Sequence, residues 1–140
     1  MLHATFDTSS IMGKFSKMVD NISKIDIDAA IFEALNELAD VLLLRMQDIV
    51  RRHYETGDAY RAIKRTEVQR AGNFQWVEVG AMSIRMEDKD GFHVVYQEYG
   101  SPGRLEADPW LRPTMEDKTL INKTIMDVFK KWGVPNVKAA

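Results

Sequence analysis

The chain has 140 residues, of which 45% are hydrophobic and 29% charged, and its formal net charge is −2. This length is most economically one domain with a real core, and the near-neutral charge argues against a chain built to hold nucleic acid or an anionic membrane surface. There is no cysteine, which excludes a disulfide framework, a thiolate nucleophile and a cysteine-type zinc site, and suits a reducing compartment.

The first residues, MLHATFDTSSIMGKF, lack a basic start followed by an apolar core, so no secretory signal is expected. The most apolar run, around Ala39 to Leu44, is too short to cross a bilayer. The expectation is a soluble intracellular protein of one domain: a helical arm over 1–25, an α+β core over 26–135 and a loose tail over 136–140.

In chain order, Ser9 and Ser10 are placed to cap a short helix. Ile11, Phe15, Met18, Ile22 and Ile25 follow at helical spacing. Asp26 or Asp28 then caps a longer helix running to about His53. Its seam is Ile27, Ile31, Leu35, Leu38, Leu42, Met46 and Ile49, widened by Ala30, Ala34 and Ala39. Leu43, Leu44 and Val50 fall off that seam, which predicts apolar contacts on a second side. Thr56–Gly57–Asp58 ends the helix.

Short runs rich in β-branched and aromatic residues come next: 63–69, 74–80, 82–87 and 92–99. They are separated by Ala71–Gly72–Asn73, by Gly80–Ala81 and by Asp88–Lys89–Asp90–Gly91. About four antiparallel strands in a meander are expected. Asp108, with Pro109 behind it, is placed to cap a last helix whose apolar side is Leu111, Met115, Ile121, Ile125, Val128, Phe129 and Trp132. Gly133 and Pro135 stop it. The order helix, helix, strands, helix predicts an α+β fold with one sheet face packed on the long helices.

Motifs for chemistry are sparse. His3, His53 and His93 show no metal-binding spacing. No glycine-rich phosphate loop and no G-x-S-x-G elbow occurs. Glu78, Glu87, Glu98 and Glu106 stand where alternation or a loop predicts solvated side chains, so a catalytic carboxylate pair is not expected. Arg61, Lys64, Arg65 and Arg70 read as a solvated strand face. No catalytic residue, metal site or cofactor is assigned. The stretch VVYQEYGSPGRLEADPWLRP (94–113) asks for more explanation. Packing accounts for Tyr96 or Tyr99 turned inward, for Gly100 and Gly103 at the turn, and for Trp110 pinning the last helix to the sheet. It does not account for Arg104 and Glu106 on the Ser101–Ala107 loop, where a partner-facing loop does.

Three motifs carry a resemblance. YETGDAYRAI (54–63) resembles a Thr-Gly-x-hydrophobic-Arg-x-x-Ile start to a sheet. YQEYGS (96–101) resembles a Glu-aromatic-Gly-Thr/Ser strand end. ADPWLRPTMED (107–117) resembles a Pro-aromatic-Leu-x-Pro lead-in to a final helix. In this order behind a long amphipathic helix, over about residues 27–132, they are similar to the tail-completion or neck proteins of long-tailed bacteriophages. Tyr60, Ala62, Trp110 and Ser101 depart mildly from that pattern.

The resemblance implies a non-enzymatic virion protein at the head–tail junction, assembled in the bacterial cytoplasm. It would act as a homo-oligomeric ring, commonly a hexamer, between the head connector and the tail tube, with no membrane, cofactor or specific nucleic-acid role. Leu43, Leu44, Val50, Glu98, Tyr99, Ser101, Arg104, Glu106, Trp110 and Arg112 are the expected contact residues. The competing expectation is a small enzyme or ligand-binding domain with a site near residues 98–112. A nucleic-acid-binding module, the third reading, requires salt-sensitive DNA retention.

Overall fold

A computed structural model describes residues 2–19, 24–51, 62–81, 97–100, 103 and 107–132. The elements are β1 (Leu2–Asp7), α1 (Thr8–Val19), α2 (Lys24–Arg51), β2 (Ile63–Arg65), β3 (Gln69–Ala71), β4 (Phe74–Ala81), α3 (Arg112–Met115) and α4 (Lys118–Lys131). The fold is α+β: a four-stranded antiparallel sheet packs one face on helices.

α2 is the axis of the domain. Ala30, Ile31, Ala34, Leu35, Leu38, Ala39, Leu42, Met46 and Ile49 are buried along it, as the sequence seam predicts, and Ile27 packs against the same core. The alanines in that seam let neighbouring elements approach closely. On one side α2 meets β4; on the other it meets α4, which buries Ile121, Ile125, Val128 and Phe129. The two helices run antiparallel. Arg45 pairs with Asp117 at the start of α4 (3.5 Å), and Glu33 accepts from the Trp132 indole at its end (2.7 Å).

The sheet departs from the expected meander. Residues 2–7 form a strand instead of the start of a helical arm, and they pair with β4 along their full length, from Leu2 opposite Ala81 to Asp7 opposite Trp76. Buried Ala4 and Ile11 place this segment in the core. Asp7 ends the strand and caps α1: its Oδ1 accepts from Ser10 N (2.8 Å), and Asp7 N donates to Ser10 Oγ (3.4 Å). This reciprocal cap replaces the one expected from Ser9 and Ser10.

The strand expected over 63–69 is interrupted. β2 and β3 both lie on the other edge of β4, and Thr66 bridges the gap: its N–H donates to Glu78 O and its hydroxyl accepts from Glu78 N. The tight turn at Gly72 has the expected positive φ of 62°. Gly80–Ala81 is not a break, because β4 runs through both. Gln97–Tyr99 are helical, so no strand reaches Tyr99.

The last helix is split. Asp108 and Pro109 precede it without capping it. α3 is four residues long, and the cap of α4 is Asp117, whose side chain accepts from Leu120 N at 3.1 Å. Met115 and Trp132, expected on the apolar side, are partly exposed. Phe15, Met18 and Ile25 lie on helices, as their spacing predicts. The expectations at Ile22, His53, 56–58, Arg61, 82–96, 133 and 135 and the tail fall outside what is described.

Leu44 and Val50, grouped by sequence as off-seam residues, separate cleanly. Leu44 is 63% exposed and Val50 is fully buried. In urea unfolding, Val50→Ala is expected to lower stability by about 2 kcal/mol, whereas Leu44→Ala should stay within about 0.5 kcal/mol of the wild type. Equal effects would contradict this packing.

Candidate functional site

The polar centre of the molecule joins two of the quoted motifs. The last described turn of α2, up to Arg51, carries main-chain carbonyls that a side chain can reach. The buried Gln97 reaches one of them, donating from Nε2 to Ile49 O at 3.0 Å. Beside it, the Gln97 carbonyl accepts from Asp108 N at 2.8 Å. Two connections therefore dock the helical turn 97–99 onto α2 and onto the segment that leads to α3.

Glu98 makes the third. Its carboxylate is fully buried, contrary to the solvated position expected from alternation. The alternation argument fails here because the backbone is helical at this point. Oε1 accepts from Trp110 N (3.0 Å) and Leu111 N (2.7 Å), with Arg112 N at 3.4 Å. Oε2 accepts from Arg112 Nε (2.9 Å), and Arg112 Nη2 also donates to the Glu98 carbonyl (2.8 Å). A buried carboxylate is costly unless paired and hydrogen-bonded; here main-chain donors at the start of α3 and one guanidinium meet that need. Thr114 closes the unit by donating its hydroxyl proton to Trp110 O at 2.7 Å.

The expected contact residues sort accordingly. Trp110 and Val50 are core, and Leu43 packs partly against the core, so none of these is a free surface. Trp110 is worth about 2–3 kcal/mol by burial alone. Leu44 is exposed, as is Tyr99 at 60%; Tyr96, the other tyrosine that could turn inward, lies outside the described residues. The Arg112 guanidinium lies over the Tyr99 ring, 5.3 Å from its centroid, so the buried clamp fixes an Arg–Tyr pair at the surface. Gly100, the residue after Tyr99, has a φ of 80°, in the left-handed region that glycine favours. Ser101, Arg104 and Glu106 lie outside the described residues.

Other candidates are structural in their surroundings. Arg65 is not a solvated strand residue: it bonds Asn36 O, Asn36 Oδ1, Asp40 Oδ1 and Thr66 O, tying β2 to α2. It lines a shallow groove of about 570 Å³ with Phe32, Asn36 and Val68. Arg70 sits over the Phe32 ring at 4.8 Å. His3 and Glu78, from adjacent strands, approach to 3.5 Å. Among the described residues no three His, Asp or Glu side chains converge as metal ligands, and no described helix is long and apolar enough to cross a membrane.

Compared with protein-family models, curated proteins and solved structures, the chain finds no match.

The roles within the clamp can be ranked by substitution. Glu98→Ala leaves buried N–H groups unpaired and should cost about 2–4 kcal/mol in denaturant unfolding. Arg112→Ala, at a half-exposed cation, should cost about 1 kcal/mol. If Arg112→Ala costs as much as Glu98→Ala, the ion pair and not the main-chain donors holds the unit.

Proposed function

We propose that this chain is a structural protein of the head–tail junction of a long-tailed bacteriophage. In this reading it completes the tail or neck, and joins the head connector to the tail tube as an oligomeric ring, a hexamer in the virion. It is not an enzyme, and it uses no cofactor and no specific nucleic-acid contact. Its place is the virion, after assembly in the bacterial cytoplasm.

The observation that carries the reading is the Glu98 clamp. The Glu-Tyr-Gly and Pro-Trp-Leu-Arg-Pro motifs are two halves of one buried hydrogen-bonded unit. Their joint occurrence therefore has a physical cause, which supports treating them as one signature instead of two chance matches. A second support is the spread of exposed large apolar side chains over different elements: Phe32 and Leu44 on α2, Phe74 on β4, and Tyr99 and Met115 beside the clamp. A ring built from identical subunits needs two different adhesive faces on each protomer, and scattered exposed apolar groups suit that requirement. The alternative, a ligand or catalytic site near residues 98–112, draws no support from Glu98, whose oxygens are occupied by structural donors.

Electron microscopy of phage particles made without this protein tests the reading. Separate full heads and finished tails are the expected result. Intact joined virions would contradict it.

A further inference from the structure

The two edges of the sheet are built differently. The β2–β3 edge is broken between Arg65 and Gln69 and carries exposed Lys64, Glu67 and Arg70. Breaks and charges of this kind keep an edge from pairing with another chain. β1 has neither. All six of its residues are in register with β4, no lysine or proline interrupts LHATFD, and among the described residues no strand lies on its far side. Among the described residues β1 is thus paired on one side only, and a strand so paired offers its outward N–H and C=O groups as a template. An apolar groove of about 300 Å³ adjoins this edge, lined by Thr5, Phe6, Ile11, Met115, Ile121 and Ile125 among others.

The side chains of β1 identify what fits that edge. Ala4 and Phe6 belong to the inner, helix-covered face, while Thr5 is exposed, with His3 and Asp7 on its side of the sheet. Two copies of β1 laid antiparallel must keep inner residues opposite inner ones. With Thr5 on the two-fold axis, His3 faces the partner's Asp7, Thr5 faces the partner's Thr5, and Ala4 faces the partner's Phe6. Symmetry repeats each unlike pair. Facing imidazole and carboxylate, and facing threonines, are favourable cross-strand pairs. Asp7 uses Oδ1 for its helix cap, and no described group bonds its Oδ2. Phe6 of each copy is brought to the side of the sheet on which the other's groove opens. Sliding the strands by two residues in either direction sets Thr5 against His3 or Asp7 and separates the imidazole from the carboxylate.

We infer that β1 is a self-pairing edge: two copies of the free chain join β1 to β1 about an axis through Thr5, and make one continuous sheet. This does not rest on the head–tail reading, since it follows from the edge, the groove and the alternation of one strand.

Sedimentation equilibrium of the full chain tests it with Thr5→Lys and Thr5→Glu. Each substitution sets like charges face to face at an exposed position. Each should raise the dimer Kd by about tenfold or more, with an unchanged circular dichroism spectrum. Mixed in equal amounts, the two variants should recover dimers. As the wild-type chain has no cysteine, Thr5→Cys alone should also give a covalent dimer on oxidation. A wild-type chain that remains monomeric at concentrations on the order of 100 μM overturns the inference. So does association that both charged variants leave intact, or a Thr5→Cys chain that does not cross-link.

Discussion

Much of the C-terminal half of the fold depends on one buried carboxylate. Glu98 sits where a charge is expensive, and its position is tenable because donors from Trp110, Leu111 and Arg112 converge on it. That requirement fixes the path of the chain. The turn at 97–99 must face the start of α3, α3 must begin at Leu111–Arg112, and α4 must then restart at its own Asp117 cap. Gln97, the neighbouring residue, ties the same turn to the end of α2. Adjacent polar side chains thus bind three segments that hydrophobic contact alone would leave free to slide.

Around this point the energetics divide between two kinds of contact. The α2 seam, the inner face of β4 and the buried side of α4 supply nondirectional burial. Register and angle come from directional contacts: the Asp7–Ser10 cap, Thr66 against Glu78, Arg65 on Asn36 and Asp40, and the Glu98 clamp. Arg65 and Arg112 both end on backbone oxygens as well as carboxylates, a use of the guanidinium fork that a lysine cannot reproduce. Among the described residues, separate apolar side chains and an Arg–Tyr pair held from beneath face outward.

The sequence was legible where period and length were long. α2 shows its seam over many turns and was recoverable with its buried face, whereas β4 was recoverable only as a strand: its apolar residues stand on both faces, Phe74 and Trp76 on one and Val77 and Val79 on the other, and the inner face holds Gln75. β1 was not recoverable, because LHATFD offers only six residues and runs straight into a Ser/Thr-rich helix start that masks the strand. The last helix misled for a related reason. Asp108–Pro109 has the chemistry of a cap, yet the backbone turns into a helix only at Arg112 and again at Lys118. The role of Glu98 depended on a contact more than ten residues away, which local pattern does not carry. The signal was nonetheless present: an acid before an aromatic and a glycine, followed by a proline-flanked segment that leads into a helix start, where main-chain N–H groups call for an acceptor from elsewhere. The expected partner-facing residues Arg104 and Glu106 lie beyond the described part of that loop.

Amide hydrogen exchange followed by NMR addresses the central claim directly, because it reads the N–H groups that Glu98 holds. In the wild-type chain the Trp110 and Leu111 amides should exchange as slowly as those in the middle of α2, opening only with global unfolding. In Glu98→Gln, which keeps the shape and weakens the acceptor, these two should speed up well before the α2 amides do. Rapid exchange at Trp110 and Leu111 in the wild type, or no selective change in the variant, would contradict the account.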